Sequence, residues 1–238
     1  MTNQTAYLED TGKISVKESK MPNVGVDDAL VKISHVTICG SDVHFFEDPT
    51  FGGIIKNPKL PIVLGHECAG TVEAVGKNVT HLKIGDKVAI EPGIGCGTCS
   101  YCLEGYYNLC RKMDFMAAPP FNRGALSRYV SHPAKMIFPL PNSMNTIEGA
   151  LIEPLSVGMH AVKRSGARLG MKAVVLGSGC IGLMSMASLK AMGVQEIIAV
   201  DMYDLRLSFA RKMGASHLIN AADENVEERV LALTENLG

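Results

Sequence analysis

The segment GIGCGTCSYCLEGYYNLC, residues 93–110, contains four cysteines separated by two, two and seven residues. Glycines between them allow the backbone to fold back on itself, so that all four thiols can meet at one tetrahedral metal ion. Four thiolates favour zinc in a closed, structural site, because no coordination position remains for a substrate. An iron–sulfur cluster is the alternative, since thiolates also hold such clusters. The four candidate ligands are Cys96, Cys99, Cys102 and Cys110.

The charge of the chain argues against nucleic acid as a partner of this segment. A nucleic-acid-binding zinc ribbon needs Lys or Arg to neutralise phosphates, and residues 93–110 contain neither. The whole chain carries 23 Lys and Arg against 24 Asp and Glu. We therefore expect neither nucleic acid nor a membrane surface as a partner.

The location of the protein is predicted from its N-terminus and its cysteines. No cationic stretch followed by an apolar one is visible, so no secretory signal is expected. The most apolar window, residues 173–189, contains glycines and serines and is flanked by lysines, which favours a buried segment over a membrane span. We expect a cytoplasmic protein, in which the seven cysteines are metal ligands or core thiols rather than disulfides.

A second group of metal-binding residue types lies outside the four-cysteine segment. Cys39 and the pair His66 and Glu67 each follow a short apolar run that predicts a strand. Taken singly, Cys39 and His66 are more readily explained as core or surface residues. Together the three residues supply one sulfur, one nitrogen and one oxygen, a donor set that suits catalytic zinc. Glu153 is either a further neighbour of that metal or a carboxylate favoured at a helix N-terminus.

The segment KAVVLGSGCIG, residues 172–182, predicts a strand, a glycine-rich turn and the start of a helix. A second strand, QEIIAVD, ends at Asp201, nineteen positions after the last glycine. This context fits a dinucleotide-binding βαβ unit, in which Gly177 permits the turn, Gly179 admits the pyrophosphate and Gly182 allows close packing. Asp201 would bind the adenosine ribose and repel a 2′-phosphate, which favours NAD, whereas Arg206 nearby leaves NADP open. The alternative is an apolar βαβ unit with packing glycines.

These motifs follow one another in the order found in zinc-containing medium-chain dehydrogenases. The segments that carry the resemblance are ICGSDVH, GHECAGTVEAVGKNV, the four-cysteine segment, RGALSRYVSHPA, ALIEPLSVGMHA and GSGCIG. From about residue 7 to its end, the chain resembles this family, and within it the polyol dehydrogenases that act on sorbitol or xylitol. Those enzymes have glutamate in EPLSVG, where related alcohol dehydrogenases use cysteine. Threonine dehydrogenase is matched less well there.

The resemblance implies an α/β plus β fold with two domains. Residues 1–150 would form a GroES-like zinc-binding catalytic domain, and residues 151–238 the first half of a Rossmann NAD-binding domain whose second half is absent. By the resemblance, Cys39, His66 and Glu67 hold the catalytic zinc, with Glu153 as an occasional or water-mediated ligand, and the four-cysteine segment holds the structural zinc.

Further residues take roles through the same resemblance. Ser41 and His44 would relay the substrate proton, with Glu153 also available for proton transfer, and Phe45 and Phe115 would line the substrate pocket. The cofactor-binding residues would be Gly177, Gly179, Cys180, Ile181, Gly182, Asp201 and Arg206. The thiols of Cys68 and Cys180 are expected to pack as small apolar groups.

The implied reaction is hydride transfer from a secondary hydroxyl of a polyol to NAD, giving a ketose, and a homo-oligomer is expected at full length. Only three strands of the dinucleotide domain are visible, so that the central strand of the complete sheet would keep an unpaired, apolar edge. A catalytically inactive, zinc-binding remnant is therefore an alternative, as is a threonine or alcohol dehydrogenase of the same family. A zinc-free quinone reductase-like protein is opposed by the presence of every metal ligand.

Overall fold

The computed structural model describes residues 2–118 and 123–237. The chain divides into two compact units, Met1–Glu153 and Pro154–Gly238. The strands of the first unit are β1 (Asn3–Asp10), β2 (Lys13–Ser19), β3 (Asp28–Thr37), β4 (Glu67–Val75), β5 (Lys87–Ile90), β6 (Gly93–Ile94), β7 (Asp114–Phe115), β8 (Tyr129–Pro133) and β9 (Ile137–Pro139). Its helices are α1 (Gly40–Glu47), α2 (Ser100–Leu103) and α3 (Thr146–Ala150), with 3₁₀ turns at Tyr107–Leu109 and Ala134–Met136.

An antiparallel sheet with the strand order β8-β3-β4-β5-β9 forms the centre of the first unit. Its β-branched residues pack into one core, in which Val31, Val72, Val88 and Ile137 are almost completely buried. The pairing of β3 with β4 sets Thr37 opposite Glu67. The end of β3 therefore lies beside the start of β4, where the predicted ligands Cys39 and His66 occur.

A two-stranded ribbon closes the four-cysteine segment. Strand β6 precedes the first cysteine and β7 follows the last, and the two strands pair antiparallel with Gly93 opposite Phe115. The ends of the segment are thereby brought together. This closure is the local geometry that four ligands of one ion require.

The second unit contains α4 (Ile152–Ser165), which begins two residues before the boundary, β10 (Lys172–Leu176), α5 (Cys180–Ala191), β11 (Glu196–Asp201), α6 (Asp204–Met213), β12 (His217–Asn220) and α7 (Val226–Leu233). Its sheet is parallel with the order β10-β11-β12. Helices connect the successive strands, as a βαβ sequence predicts. Strand β11 is the most buried, and Ile197, Ile198 and Ala199 are fully enclosed.

The apolar window at residues 173–189 is divided between β10 and α5. Within the described residues, no helix is both long enough and apolar enough to cross a membrane. In the described part of the chain, β10 pairs on one side only, and Leu176 at its end is 75% exposed. The apolar edge that the sequence predicts for this strand is therefore present.

His132 in β8 is a buried titratable group of the first unit. Its Nε2 donates to the Glu91 carbonyl at 2.8 Å, so Nδ1 is the unprotonated nitrogen, and it has no hydrogen-bond partner among the described residues. Burial is the main cause that lowers the pKa of His132 to about 4. The imidazole is therefore neutral in the folded chain at neutral pH.

We predict that His132 makes the free energy of unfolding depend on pH. Its pKa in the unfolded chain is about 6.5, so protons bind preferentially to the unfolded state as the pH falls from about 6.5 to about 4. Lowering the pH from 7 to 5 should cost about 2 kcal/mol through this residue. Urea unfolding at the two pH values should show a smaller loss for His132→Phe than for the unchanged chain. The exposed residue His81 supplies the control His81→Gln, and an equal loss in all three proteins would contradict the prediction.

Candidate metal and dinucleotide sites

Cys39, His66 and Glu67 lie together in the first unit. One ligand atom from each is within 4.8 Å of the others. Cys39 follows β3 as the N-cap of α1, with extended backbone angles, while Glu67 is the first residue of β4. The pairing of these strands thus assembles sulfur, nitrogen and oxygen donors. The set fits a zinc ion with one position left for a further ligand.

Asp42 joins the two segments that carry these ligands. This buried carboxylate accepts the Cys39 N–H at 3.0 Å and the Gly65 N–H at 2.8 Å, and its Oδ1 lies 3.9 Å from His66 Nδ1. Sequence reasoning did not single out Asp42. Its position three residues after the N-cap Cys39 fits a capping box, but that signal does not reveal the contact with Gly65.

Glu67 and Glu153 differ in their surroundings. Glu67 is 4% exposed, and its Oε2 accepts a hydrogen bond from the Thr37 hydroxyl. Glu153 stands in the first turn of α4 and is not one of the three clustered donors. Burial, followed by the charges of Glu67 and Glu91, raises the pKa of Glu153 to about 7. Glu153 is thus a carboxyl group near the cluster that exchanges its proton close to neutral pH.

The four cysteines of residues 96–110 also form one group, with their sulfur atoms within 4.8 Å of one another. Two of the Sγ–Sγ distances are 4.0 Å, for Cys96 and Cys102, and 3.9 Å, for Cys99 and Cys110. A tetrahedral zinc ion with Zn–S bonds of 2.3 Å needs about 3.8 Å between sulfurs. The donor set therefore fits a structural zinc ion, and none of the seven cysteines, all of which lie within the described residues, is in a disulfide.

The thiols of this group are not equivalent. Hydrogen bonds from Thr98, first its N–H and then its hydroxyl, lower the pKa of Cys96 to about 5. Burial raises the pKa of Cys102 to about 11. Because only thiolates bind zinc, a metal ion must displace the Cys102 proton when it binds.

Ser41 and His44 both lie in α1, Ser41 half-buried and His44 exposed. The His44 ring packs edge-on against Phe51 at 5.6 Å. The proton relay proposed for the two residues stays a prediction. Phe115, by contrast, contacts a predicted metal ligand, since its ring meets that of His66 edge-on at 5.5 Å.

Phe45, the other residue predicted to line the substrate pocket, packs into the core of the first unit. Its ring is 7% exposed and packs with Leu8, Ile62 and Leu64 in a small core cluster. Residues on opposite faces of α1 have different environments, and Phe45 lies on the face that packs inward. It is a core residue in this unit, and the prediction that it also lines a substrate pocket stays a prediction.

The glycine-rich turn of the second unit has the backbone that its sequence predicts. Gly177 has a φ of +92°, a conformation that L side chains rarely adopt. A Cβ on Gly182 would lie 1.9 Å from the Gly177 carbonyl oxygen, whereas a Cβ on Gly179 would meet nothing within 4 Å. Gly182 is therefore required by packing, and the open space at Gly179 admits a ligand at the start of α5.

Cys180 and Ile181 are the first residues of α5, and both are exposed. The packing role predicted for Cys180 is therefore wrong, because this side chain is not enclosed by the core. Cys68 is 1% exposed within the core of the first sheet, so its predicted packing role is confirmed.

Asp201 ends β11 beside the glycine-rich turn. Its Oδ2 accepts the Ser178 N–H at 2.8 Å and its Oδ1 accepts the Tyr203 N–H at 3.0 Å, while Arg206 Nη1 lies 3.7 Å from Oδ2. Burial acts to raise the pKa of Asp201, but these N–H groups and Arg206 outweigh it, so the pKa is lowered. Asp201 therefore presents a negative charge at the edge of the turn. Arg206 also stacks over the Tyr203 ring at 5.1 Å, a pair that sequence reasoning missed.

Comparison with known proteins agrees with both units. A family model described as the alcohol dehydrogenase GroES-like domain matches residues 25–142, and one described as zinc-binding dehydrogenase matches residues 180–238. YdjJ of Escherichia coli, named as a zinc-type alcohol dehydrogenase-like protein, is 47% identical over 100% of this chain and 68% of its own length. Sorbitol dehydrogenase of Bacillus subtilis is 40% identical over 99% of this chain and 66% of its own length.

Solved structures give the same result. An Escherichia coli oxidoreductase of unknown specificity superimposes with a TM-score of 0.96 and 46% identity, over 100% of this chain and 68% of that one. A zinc-binding dehydrogenase of Sinorhizobium meliloti bound to NADP gives a TM-score of 0.87 and 31% identity, over 96% of this chain and 64% of that one.

The chain belongs to the zinc-type medium-chain dehydrogenase family. The predicted fold class, a GroES-like domain followed by part of a Rossmann domain, is confirmed. The chain spans about two thirds of the length of these relatives.

We predict that Cys102→Ser removes one zinc ion per chain. A serine hydroxyl is a poor substitute for a thiolate ligand, and loss of the closed site should also lower the melting temperature. Native mass spectrometry counts the bound ions. Cys180→Ser is the matched control, because Cys180 is exposed and lies outside both clusters. Equal zinc content in the two variants would contradict the assignment.

We predict that Asp42→Asn weakens metal binding at Cys39, His66 and Glu67 about 10- to 100-fold, since residues that orient ligands typically have effects of this size. Competition with a chromophoric chelator measures the affinity of each site. Asp86→Asn is the control, because Asp86 accepts a turn N–H from Lys83 away from the cluster. An unchanged affinity in Asp42→Asn would show that Asp42 has no orienting role.

Proposed function

We propose that this protein oxidises a secondary hydroxyl of a polyol of the sorbitol or xylitol type to a ketose, with NAD as hydride acceptor. The observation that carries the proposal is the open donor set of Cys39, His66 and Glu67, with the carboxyl group of Glu153 nearby instead of a second sulfur. The names of relatives, sorbitol dehydrogenase among them, support the polyol class.

Each residue of the candidate site has a proposed role in this reaction. Cys39, His66 and Glu67 would hold a zinc ion, which when bound supplies Lewis-acid chemistry that lowers the pKa of a substrate hydroxyl. Ser41 would accept the hydroxyl proton and His44, exposed on α1, would pass it to solvent. Glu153 would serve as a second proton carrier or an occasional ligand. The four cysteines would hold a structural zinc ion apart from the chemistry.

The choice of NAD over NADP rests on Asp201. Its negative charge lies where the adenosine ribose binds in this fold and would repel a 2′-phosphate. Arg206 lies 3.7 Å from the carboxylate, so its charge is directed to Asp201. A family member from Sinorhizobium meliloti is bound to NADP, and the distinction therefore needs a direct test.

We propose that the protein is located in the cytoplasm. None of the seven cysteines, all of which lie within the described residues, forms a disulfide, and five of them would bind metal, which suits the reducing cytoplasm. A small polyol is the proposed partner, with neither nucleic acid nor membrane involved. We propose a homo-oligomer for the full-length protein.

A second candidate function is zinc binding without turnover by the 238-residue chain. The exposed apolar edge of β10 favours it, because the coenzyme cleft of a doubly wound sheet uses strands on both sides of this position.

The deciding experiment measures NADH formation by the zinc-loaded chain with sorbitol, xylitol, threonine and ethanol. Polyol turnover that is abolished in Cys39→Ser supports the proposed function. Turnover with threonine or ethanol alone would overturn the polyol assignment. A folded, zinc-loaded chain without turnover on any substrate would support the second candidate.

We predict that Asp201→Ser reduces the preference for NAD over NADP at least about tenfold, since removing the charge removes about 1.4 kcal/mol or more of repulsion. Calorimetric titration of the chain with each dinucleotide gives the two dissociation constants. Asp204→Ser, at the start of α6, is the control on the same surface. An unchanged ratio of the NADP and NAD dissociation constants in Asp201→Ser would contradict the proposal that Asp201 repels the 2′-phosphate.

A further inference from the structure

Asp114 and Arg123 form an ion pair across nine positions of sequence. Each partner keeps a buried atom, Asp114 Oδ1 and Arg123 Nε, without a hydrogen-bond partner among the described residues. A partly buried ion pair that leaves polar atoms unsatisfied is a poor source of stability, and apolar residues of similar size often replace such pairs without loss. A contribution to the stability of the fold therefore does not explain the presence of this ion pair.

The position of Asp114 suggests that explanation. Asp114 and Phe115 are the two residues of β7, and neighbouring side chains of a strand point to opposite faces. Holding the Asp114 carboxylate therefore restrains the backbone of β7 and, through it, the face to which the Phe115 side chain is directed. The Phe115 ring meets the imidazole of His66 edge-on, with 5.5 Å between ring centroids.

Arg123 holds the same segment by a second contact. Its carbonyl accepts the Ala117 N–H at 2.6 Å. Ala117 has a φ of +63°, a left-handed conformation that is strained for a residue with a Cβ and persists only where its surroundings impose it. The backbone directly after Phe115 is thus constrained by Arg123 as well.

The chain after Arg123 binds the backbone of the residue that precedes His66. Ala125 donates its N–H to the Gly65 carbonyl at 2.7 Å, and Gly65 immediately precedes His66. The contacts therefore form a ring that runs from His66 through Phe115, Asp114 and Arg123 and returns through the backbone of Ala125 and Gly65.

We propose that Asp114 and Arg123 are a positioning pair, which holds the Phe115 ring against His66 and so sets the orientation of this imidazole. The part of the inference that concerns metal binding rests on the proposed function, in which His66 is a zinc ligand. The ion pair and the contact of the Phe115 ring with His66 are both observed within the first unit. The positioning role is tested without metal, coenzyme or substrate.

The test follows the His66 ring resonances by NMR in the ¹⁵N-labelled 238-residue chain. Phe115→Leu removes the aromatic ring and defines the direction of the ring-current shift. We expect Arg123→Gln to shift the His66 signals in that direction and by a comparable amount, and Arg123→Lys to shift them less. Arg128→Gln is the matched control, since Arg128 binds Gln4 on the surface of the same unit, and it should leave His66 unchanged.

A second variant separates positioning from stability. The double substitution Asp114→Leu with Arg123→Met replaces the pair by apolar side chains of similar length. We expect it to keep the melting temperature of the unchanged chain while shifting the His66 signals as Arg123→Gln does. A large fall in melting temperature would make the pair structural and overturn the proposal. Unchanged His66 signals in Arg123→Gln, or in Phe115→Leu, would also overturn the proposal.

Discussion

The pairing of β3 with β4 is the constraint on which the first unit depends. A shift of one residue would turn every side chain of a strand to the opposite face, so burial of Val31 and Val72 fixes the register. With that register, Thr37 lies opposite Glu67, and Cys39 meets His66 just beyond the paired residues. Apolar packing in the sheet thus determines where three polar ligand atoms converge.

The two candidate metal groups of this unit differ in a way that follows from their chemistry. The four cysteines occupy one closed segment, and their sulfur spacing matches a filled tetrahedron. The other group has three different donors from two segments that Asp42 holds together. Binding of metal to either group would stabilise the folded state, because the unfolded chain does not keep the ligands together. Only the second group leaves a position for chemistry.

Much of this arrangement could be predicted from the sequence, because short-range patterns specify it. The cysteine spacing, the glycine-rich turn and the strand that ends at Asp201 are local features, and the structure places them on the expected elements. Contacts between distant segments could not be predicted in this way. The hydrogen bond of Asp42 to Gly65 and the pairing of Asp114 with Arg123 depend on tertiary packing. The same limit applies to the packing of Phe45 with Leu8, Ile62 and Leu64, which come from distant parts of the chain.

The location of zinc in crystals of the zinc-loaded chain, from diffraction recorded on both sides of the zinc absorption edge, tests the two metal sites most directly. Two anomalous peaks are expected. One should lie among the sulfurs of Cys96, Cys99, Cys102 and Cys110, and the other should be bound by Cys39, His66 and Glu67 with one position open to solvent or substrate. A peak at the four cysteines alone, or a second ion held by other residues, would contradict the assignment of the catalytic centre.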